Sequence, residues 1–146
     1  MTAEEYLSQL FSISHHIKSE MQELQMDREM MHSLGSPGFE QSYSPNHPQE
    51  SPFERAYARL DEKQRKIEQE IAGMLALEEE IKGVIEAVED DHGRNVLRYR
   101  FCNKYPWERI AREMSADRHT IKRWYETGLR QVVVPEKNSE ISKSRT

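Results

Sequence analysis

Apolar residues recur at helical spacing along the first 34 residues. The main row stands seven positions apart and has two flanking members: Ala3, Leu10, Ile17, Leu24 and Met31, flanked by Leu7 and Met21. Because seven residues make almost two helical turns, the row lies along one face of an α-helix that needs an apolar partner. Thr2 and Glu5 have the spacing of a capping box at its start. The sequence predicts an amphipathic helix over residues 3–34.

A longer apolar row predicts a second helix over residues 53–92. Its members are Phe53, Leu60, Ile67, Met74, Ile81 and Val88, with Tyr57, Ile71 and Ile85 in the neighbouring row. Such a helix cannot bury its apolar stripe alone in water. Two partners stay open: helix 3–34, folded back as an antiparallel hairpin, or a second copy of the chain in a coiled-coil homodimer. Gly93, after His92, predicts the helix end, because glycine is favoured just past a helix C-terminus.

Two segments have compositions that oppose regular structure. Residues 35–52 contain two glycines and four prolines, and we interpret them as a flexible linker. Residues 132–146 begin with Val-Val-Val-Pro and continue as a polar run, which predicts a disordered tail. The two segments flank the predicted long helix and the remaining region, residues 93–131.

The region 93–131 has the pattern of short helices around a small core. A helix over about 94–103 would bury Val96, Leu97 and Phe101. The next helix, with Pro106 as its first residue, has an apolar face made of Trp107, Ile110, Ala111 and Met114. Ser115–Asp117 is a short polar turn in which Asp117 can cap a last helix. That helix would turn Ile121, Trp124, Tyr125, Gly128 and Leu129 inward.

These patterns together predict an all-α protein. Its N-terminal part is a long helical hairpin or coiled coil, with segments 1–34, 35–52 and 53–92. A C-terminal helix-turn-helix domain follows over residues 93–131, before the tail.

The outward face of the last helix points to DNA recognition. Four side chains near its start are expected to face bases in the major groove: Arg118, His119, Lys122 and Arg123. Four further side chains are expected to contact phosphates, which fix position without reading sequence: Lys104, Arg109, Arg112 and Thr127. The same pattern would also suit an ordinary helical hairpin with a solvated charged face.

Charge is distributed unevenly along the chain. The net charge is −5, yet residues 94–130 contain ten basic and four acidic side chains, a net charge of +6. Residues 1–93 carry −12. A basic region joined to an acidic one indicates a polyanion partner for the basic region alone, and double-stranded DNA fits a helix-turn-helix.

The C-terminal motifs resemble a known family. The segments LRYRF, WERIA and IKRWYETGL, within Arg94–Leu129, look like region 4 of sigma-70-type factors. The wider layout, with TAEEYL at the start and IEAVEDD before RYRF, is similar to small phage and prophage regulators of the ArpU and RinA types. The resemblance implies an activator of phage late genes that binds promoter DNA through Arg118, His119, Lys122 and Arg123. It also implies host RNA polymerase as a partner.

Other chemistry is not indicated by the sequence. The histidines show no ligand constellation, the acidic runs at 78–80 and 89–91 suit a solvated helix face, and Cys102 suits a small core position. We therefore expect no catalytic residue, no metal and no cofactor. The opening residues are not typical of a signal peptide and no segment is apolar enough to span a membrane, so a cytoplasmic location in a bacterial host cell is expected.

The sequence favours a DNA-binding transcriptional regulator over an enzyme. The alternative is a small terminase subunit, which also couples a helix-turn-helix to helical assembly but binds a packaging site. A scaffold that binds proteins through its coiled coil is a third possibility. Light scattering separates the first two, because a ring of eight or nine subunits is expected only for the terminase.

Overall fold

The computed structural model describes residues 1–34 and 51–136, and every regular element over these residues is helical, as predicted. The elements are α1 (Ala3–Leu34), α2 (Pro52–Glu86), α3 (Asp91–Leu97), a π-helical segment (Arg98–Cys102), α4 (Trp107–Glu113) and α5 (Arg118–Gln131). None of these helices is long and apolar enough to cross a membrane. Most of the predicted linker, and the tail from residue 137, lie outside the described residues.

Capping boxes begin both long helices. The Glu5 backbone N–H donates to the Thr2 hydroxyl at 3.1 Å, and the Glu5 carboxylate accepts from the Thr2 N–H at 3.4 Å. This confirms the predicted start of α1. Ser51 and Glu54 form the same reciprocal pair at the start of α2. The second box has the sequence pattern Ser-x-x-Glu. It was missed in the sequence because the predicted linker extended through Pro52 and therefore included Ser51.

The predicted end of the second helix is wrong. α2 ends at Glu86, and a new helix, α3, begins at Asp91. The Asp90 carboxylate accepts a hydrogen bond from the Gly93 N–H at 2.7 Å, so Asp90 is an N-cap. His92 and Gly93 therefore lie inside α3 rather than beyond a helix C-terminus. The acidic run that suggested a solvated helix face instead supplies the cap of the next helix.

The chain divides into two compact units, each formed by segments distant in sequence. The core unit comprises Met1–Ile13 and Met74–Thr146, which the structure describes as far as residue 136, and the hairpin unit comprises Ser14–Gly73. The first turns of α1 and the last turns of α2 thus belong to the same unit as α5. That residues 93–131 form a domain of their own remains a prediction.

The main cluster of the core unit joins the N-terminus to the region before α4. Its buried members are Tyr6, Leu7, Leu10, Ile81, Ile85, Val88, Leu97 and Phe101. Cys102 packs at its edge, where burial raises the pKa of the thiol. Val132 and Val134 also pack against it, which corrects the prediction of a disordered tail for these first residues. The cluster accounts for the apolar seam of the first turns of α1.

In the hairpin unit, α1 and α2 pair as antiparallel helices within one chain. Lys63 donates to Glu23 at 3.0 Å, and Lys66 lies 3.8 Å from Glu20. Residue numbers therefore increase along α2 in the direction in which they decrease along α1. The seam buries Ile17, Leu24, Met31 and Ile67.

Two predicted seam residues of the hairpin unit are exposed. Met21 and Tyr57 were expected to flank the apolar rows, yet they are 51% and 57% exposed. A straight α-helix drifts by about 20° per heptad relative to a seven-residue repeat. A narrow seam therefore buries the α1 row at Ile17, Leu24 and Met31 and leaves the flanking Met21 and Tyr57 largely in water.

Candidate nucleic-acid interface

A second, smaller cluster of the core unit holds α4 and α5. Val96, Ile110 and Ile121 are buried there, one from each of α3, α4 and α5. Ala111 of α4, Met114 immediately after α4 and Trp124 of α5 pack around them, as the inward spacing predicts. The cluster fixes a pair of short helices joined by the four residues 114–117.

The connection between these helices is built from local backbone interactions. Ser115 has a φ of 50°, a conformation that turns the chain after α4. The Thr120 N–H then donates to the Asp117 carboxylate at 2.7 Å, which confirms Asp117 as the N-cap of α5. This hydrogen bond lowers the pKa of the Asp117 carboxyl, because it favours the charged form. Pro106 is extended and precedes α4, so its predicted place as first helical residue is wrong by one position.

Two glycines set the approach of α5 to α3. Gly93 and Gly128 are both buried, and a Cβ added to Gly93 would lie 2.8 Å from the Gly128 Cα. No side chain larger than hydrogen fits at this crossing. The sequence places Gly128 on the inner face correctly, but it does not reveal that Gly93 is its partner.

The four predicted base-facing residues share the exposed face of α5. Arg118, His119, Lys122 and Arg123 are all exposed, and their spacing places them on its first two turns. Arg118 makes one surface ion pair, 3.3 Å from Glu108 of α4. Such an exposed pair contributes little and leaves the guanidinium free to exchange partners. The result is a solvent-facing surface of three positive charges and an imidazole.

The predicted phosphate-facing residues have more varied surroundings. Arg112 is exposed on α4, whereas Arg109 lies over the Tyr105 ring at 3.8 Å and beside Glu113. Lys104 lies 3.7 Å from Glu78 of α2. The Thr127 hydroxyl donates to the Arg123 carbonyl at 3.0 Å. Arg112 is therefore the clearest candidate of this group for a bound anion.

Three arginines counted in the basic region are engaged within the core unit. Arg94 donates to the Val88 carbonyl at 2.9 Å, and Arg98 pairs with Glu86. The Arg100 guanidinium lies over two rings, 4.9 Å from that of Phe11 and 4.7 Å from that of Trp107. These charges stabilise the fold, so the charge count from the sequence exceeds what this surface offers a partner.

The two tryptophans are partly buried on the inner sides of their helices. Trp107 meets Tyr125 edge-on at 4.9 Å, and Trp124 stacks on His92 at 4.0 Å with nearly parallel rings. The Tyr125 hydroxyl donates to Glu4 of α1 at 3.1 Å. Aromatic contacts thus connect α5 to α3 and to α4, and the Tyr125 hydrogen bond connects it to the first turn of α1.

Comparisons with protein-family models, with curated proteins and with solved structures find no match. The geometry and charge of the α5 surface therefore carry the functional inference.

Proposed function

We propose that the protein is a transcriptional regulator that binds double-stranded DNA through the exposed face of α5. In this proposal α4 and α5 form a helix-turn-helix, with α5 as the recognition helix. The observation that carries it is the exposure of Arg118, His119, Lys122 and Arg123 together on the first two turns of α5. The N-terminal residues of such a helix are those that reach base edges.

The chemistry of this surface suits the major groove. Arginine and lysine donate to the O6 and N7 acceptors of guanine, and each good contact contributes about 1–3 kcal/mol of discrimination. Arg112, exposed on α4, suits a phosphate, which positions a protein without reading sequence. An anionic partner is further supported by the exposed basic side chains of this surface, which lie in a chain of net charge −5.

Regulation of transcription is proposed from the resemblance to sigma region 4 and to phage late-gene activators. This resemblance favours a promoter over a packaging site as the bound DNA. It makes host RNA polymerase the second proposed partner, and the cytoplasm of a bacterial host the proposed location. A terminase would assemble as a ring, which light scattering of the purified protein detects. A ring of eight or nine subunits would favour the packaging function over the regulatory one, whereas a monomer or dimer would support a regulator.

Binding can be tested with two triple variants of equal charge change. The wild-type protein first selects a preferred duplex from a random pool, and fluorescence anisotropy then compares that duplex with a scrambled one. R118A/K122A/R123A removes three charges from the proposed surface. R55A/R59A/R65A removes three exposed charges from α2 and is the matched control.

We expect the first variant to reduce the ratio of specific to nonspecific affinity by at least tenfold, since several base contacts are lost. The control should keep the wild-type ratio. If both variants retain the preference for the selected duplex, α5 does not read DNA and the proposal fails. A fall of the same size in the control would also contradict it, because general charge rather than the α5 surface would then govern binding.

A further inference from the structure

Three metal-ligating side chains converge between α1 and α2 in the hairpin unit. His16 and Glu20 lie one turn apart on α1, and Glu70 lies opposite on α2. One ligand atom from each residue lies within 4.8 Å of the others. The sequence places His16 and Glu20 on one helix face but does not reveal that Glu70 joins them.

The inner oxygens of this cluster lack hydrogen-bond donors. Glu20 Oε1 and Glu70 Oε2 are buried from solvent, and neither has a hydrogen-bond partner in the described part of the chain. His16 Nε2 contacts Glu20 Oε1 and lies 3.7 Å from Glu70 Oε2. Neither contact has the geometry of a hydrogen bond. Lys66 lies 3.8 Å from the other oxygen of each carboxylate. Three groups that can offer electron pairs therefore face one another, and the His16 imidazole already contacts one of the two carboxylates.

Two carboxylates at this distance disfavour each other's charge. The two groups belong to Glu70 of α2 and Glu20 of α1. The two side chains are only 25% and 18% exposed, so water does not fully screen them. A shared proton or a bound cation would relieve the repulsion.

We propose that His16, Glu20 and Glu70 bind a divalent transition-metal ion of the zinc type. Zinc bonds to imidazole nitrogen and carboxylate oxygen are about 2.0–2.2 Å, which separates tetrahedral ligand atoms by about 3.4 Å. The His16 Nε2–Glu70 Oε2 separation of 3.7 Å is close to this value, and the three ligand atoms lie within 4.8 Å of one another. An imidazole ligand favours zinc over magnesium, which prefers oxygen. His16 is 62% exposed, so water can reach the fourth position.

The ion would link α1 to α2 and stabilise their pairing in the hairpin unit. Lys66 is a competitor, because its ammonium partly neutralises the same two carboxylates. The site does not depend on the proposed DNA binding, and either proposal can fail alone.

The test is isothermal titration of the full-length protein with zinc chloride. His15→Ala is the matched control for His16→Ala, because both histidines are exposed neighbours on α1. We expect one zinc per chain for the wild type and for His15→Ala, and at least tenfold weaker binding for His16→Ala and Glu70→Gln. Lys66→Gln should bind more tightly. Magnesium should not bind.

Thermal melting provides the second readout and shows whether each variant folds. Zinc should raise the melting temperature of the wild type and of His15→Ala, and EDTA should reverse the effect, because a ligand bound to the folded state stabilises it. His16→Ala should fold but gain no such stabilisation. Equal zinc affinity for His16→Ala and His15→Ala would overturn the proposal. Weaker binding by Lys66→Gln would also overturn it, because the carboxylates could not then be the ligands.

Discussion

Glycine at positions 93 and 128 allows a close contact between α3 and α5. The missing side chains allow the backbones of α3 and α5 to touch. At Gly73 and Gly83 of α2, by contrast, an added Cβ meets nothing within 4 Å. The same residue type is therefore essential in one place and replaceable in another.

Gly93→Ala should destabilise the protein by about 1–3 kcal/mol, as overpacking of a tight contact does. Gly83→Ala should instead stabilise it by roughly 0.5–1 kcal/mol, because alanine restricts the unfolded chain and favours the helix. Urea unfolding followed by circular dichroism measures both. Equal effects of the two substitutions would contradict the assigned contact.

The cap of α5 should make stability depend on acidity. The pKa of the Asp117 carboxyl is lowered in the folded protein, so its contribution is complete above the ordinary value near 3.8 and is lost as pH falls through the lower value. Asp117→Asn keeps a capping side chain but does not titrate. We expect the melting temperature of the wild type to fall more steeply below pH 4 than that of Asp117→Asn. Parallel curves would contradict the cap.

At the scale of elements, α2 has one buried stripe and a solvated remainder. Ile81 is fully buried against α1, while Leu75 on the same helix is largely exposed. Ile81→Asp should cost several kcal/mol, because it buries a carboxylate without a partner. Leu75→Asp is the matched control and should change stability little. Thermal melts of the two variants measure the difference, and similar melting temperatures would mean that this seam does not exist.

α4 and α5 should divide the proposed DNA contacts between them. Arg112→Ala should weaken binding to all duplexes alike and reduce the salt slope by about one unit, if it contacts one phosphate. Arg118→Ala should instead reduce the preference for the selected duplex. Anisotropy titrations over a salt series measure both quantities. Loss of sequence preference in Arg112→Ala, with the slope unchanged, would reverse the assignment.

For the whole molecule, the first residues of the chain complete the core that supports α5. Leu7 and Leu10 are buried in the main cluster, against which Tyr125 and Leu129 of α5 pack. L7A/L10A should cost about 4–10 kcal/mol, comparable with the stability of a whole domain. We expect loss of near-UV dichroism from both tryptophans and loss of any DNA binding. M26A/M30A, which alters exposed residues of α1, should leave both unchanged.

The opposite result for L7A/L10A is equally informative. Retained tryptophan dichroism would show that residues 93–131 fold without the N-terminus, as the sequence predicts for an independent domain. The structure instead unites Met1–Ile13 with the chain after Met74 in one compact unit.

Local signals in the sequence predicted much of the helical framework. The bounds of α1 and the cap at Asp117 were readable because apolar periodicity and capping involve residues three to seven positions apart. The buried face of α5 was predicted from the same periodicity, and the exposed basic face is the opposite side of that helix. The separation into base-facing and phosphate-facing residues remains a prediction.

Other features depend on partners far along the chain, and the tertiary structure decided them. From the sequence, Gly93 is interpreted as the end of a helix, whereas in the structure it packs against Gly128. Arg100 is counted as one of the basic charges, whereas in the structure its guanidinium lies over the Phe11 ring. The acceptor for Tyr125 is Glu4, 121 positions away. Periodicity and capping determine which residues share a helix face. Which faces meet depends on the burial of apolar surface and on backbone clearance, and both arise only when distant segments pack together.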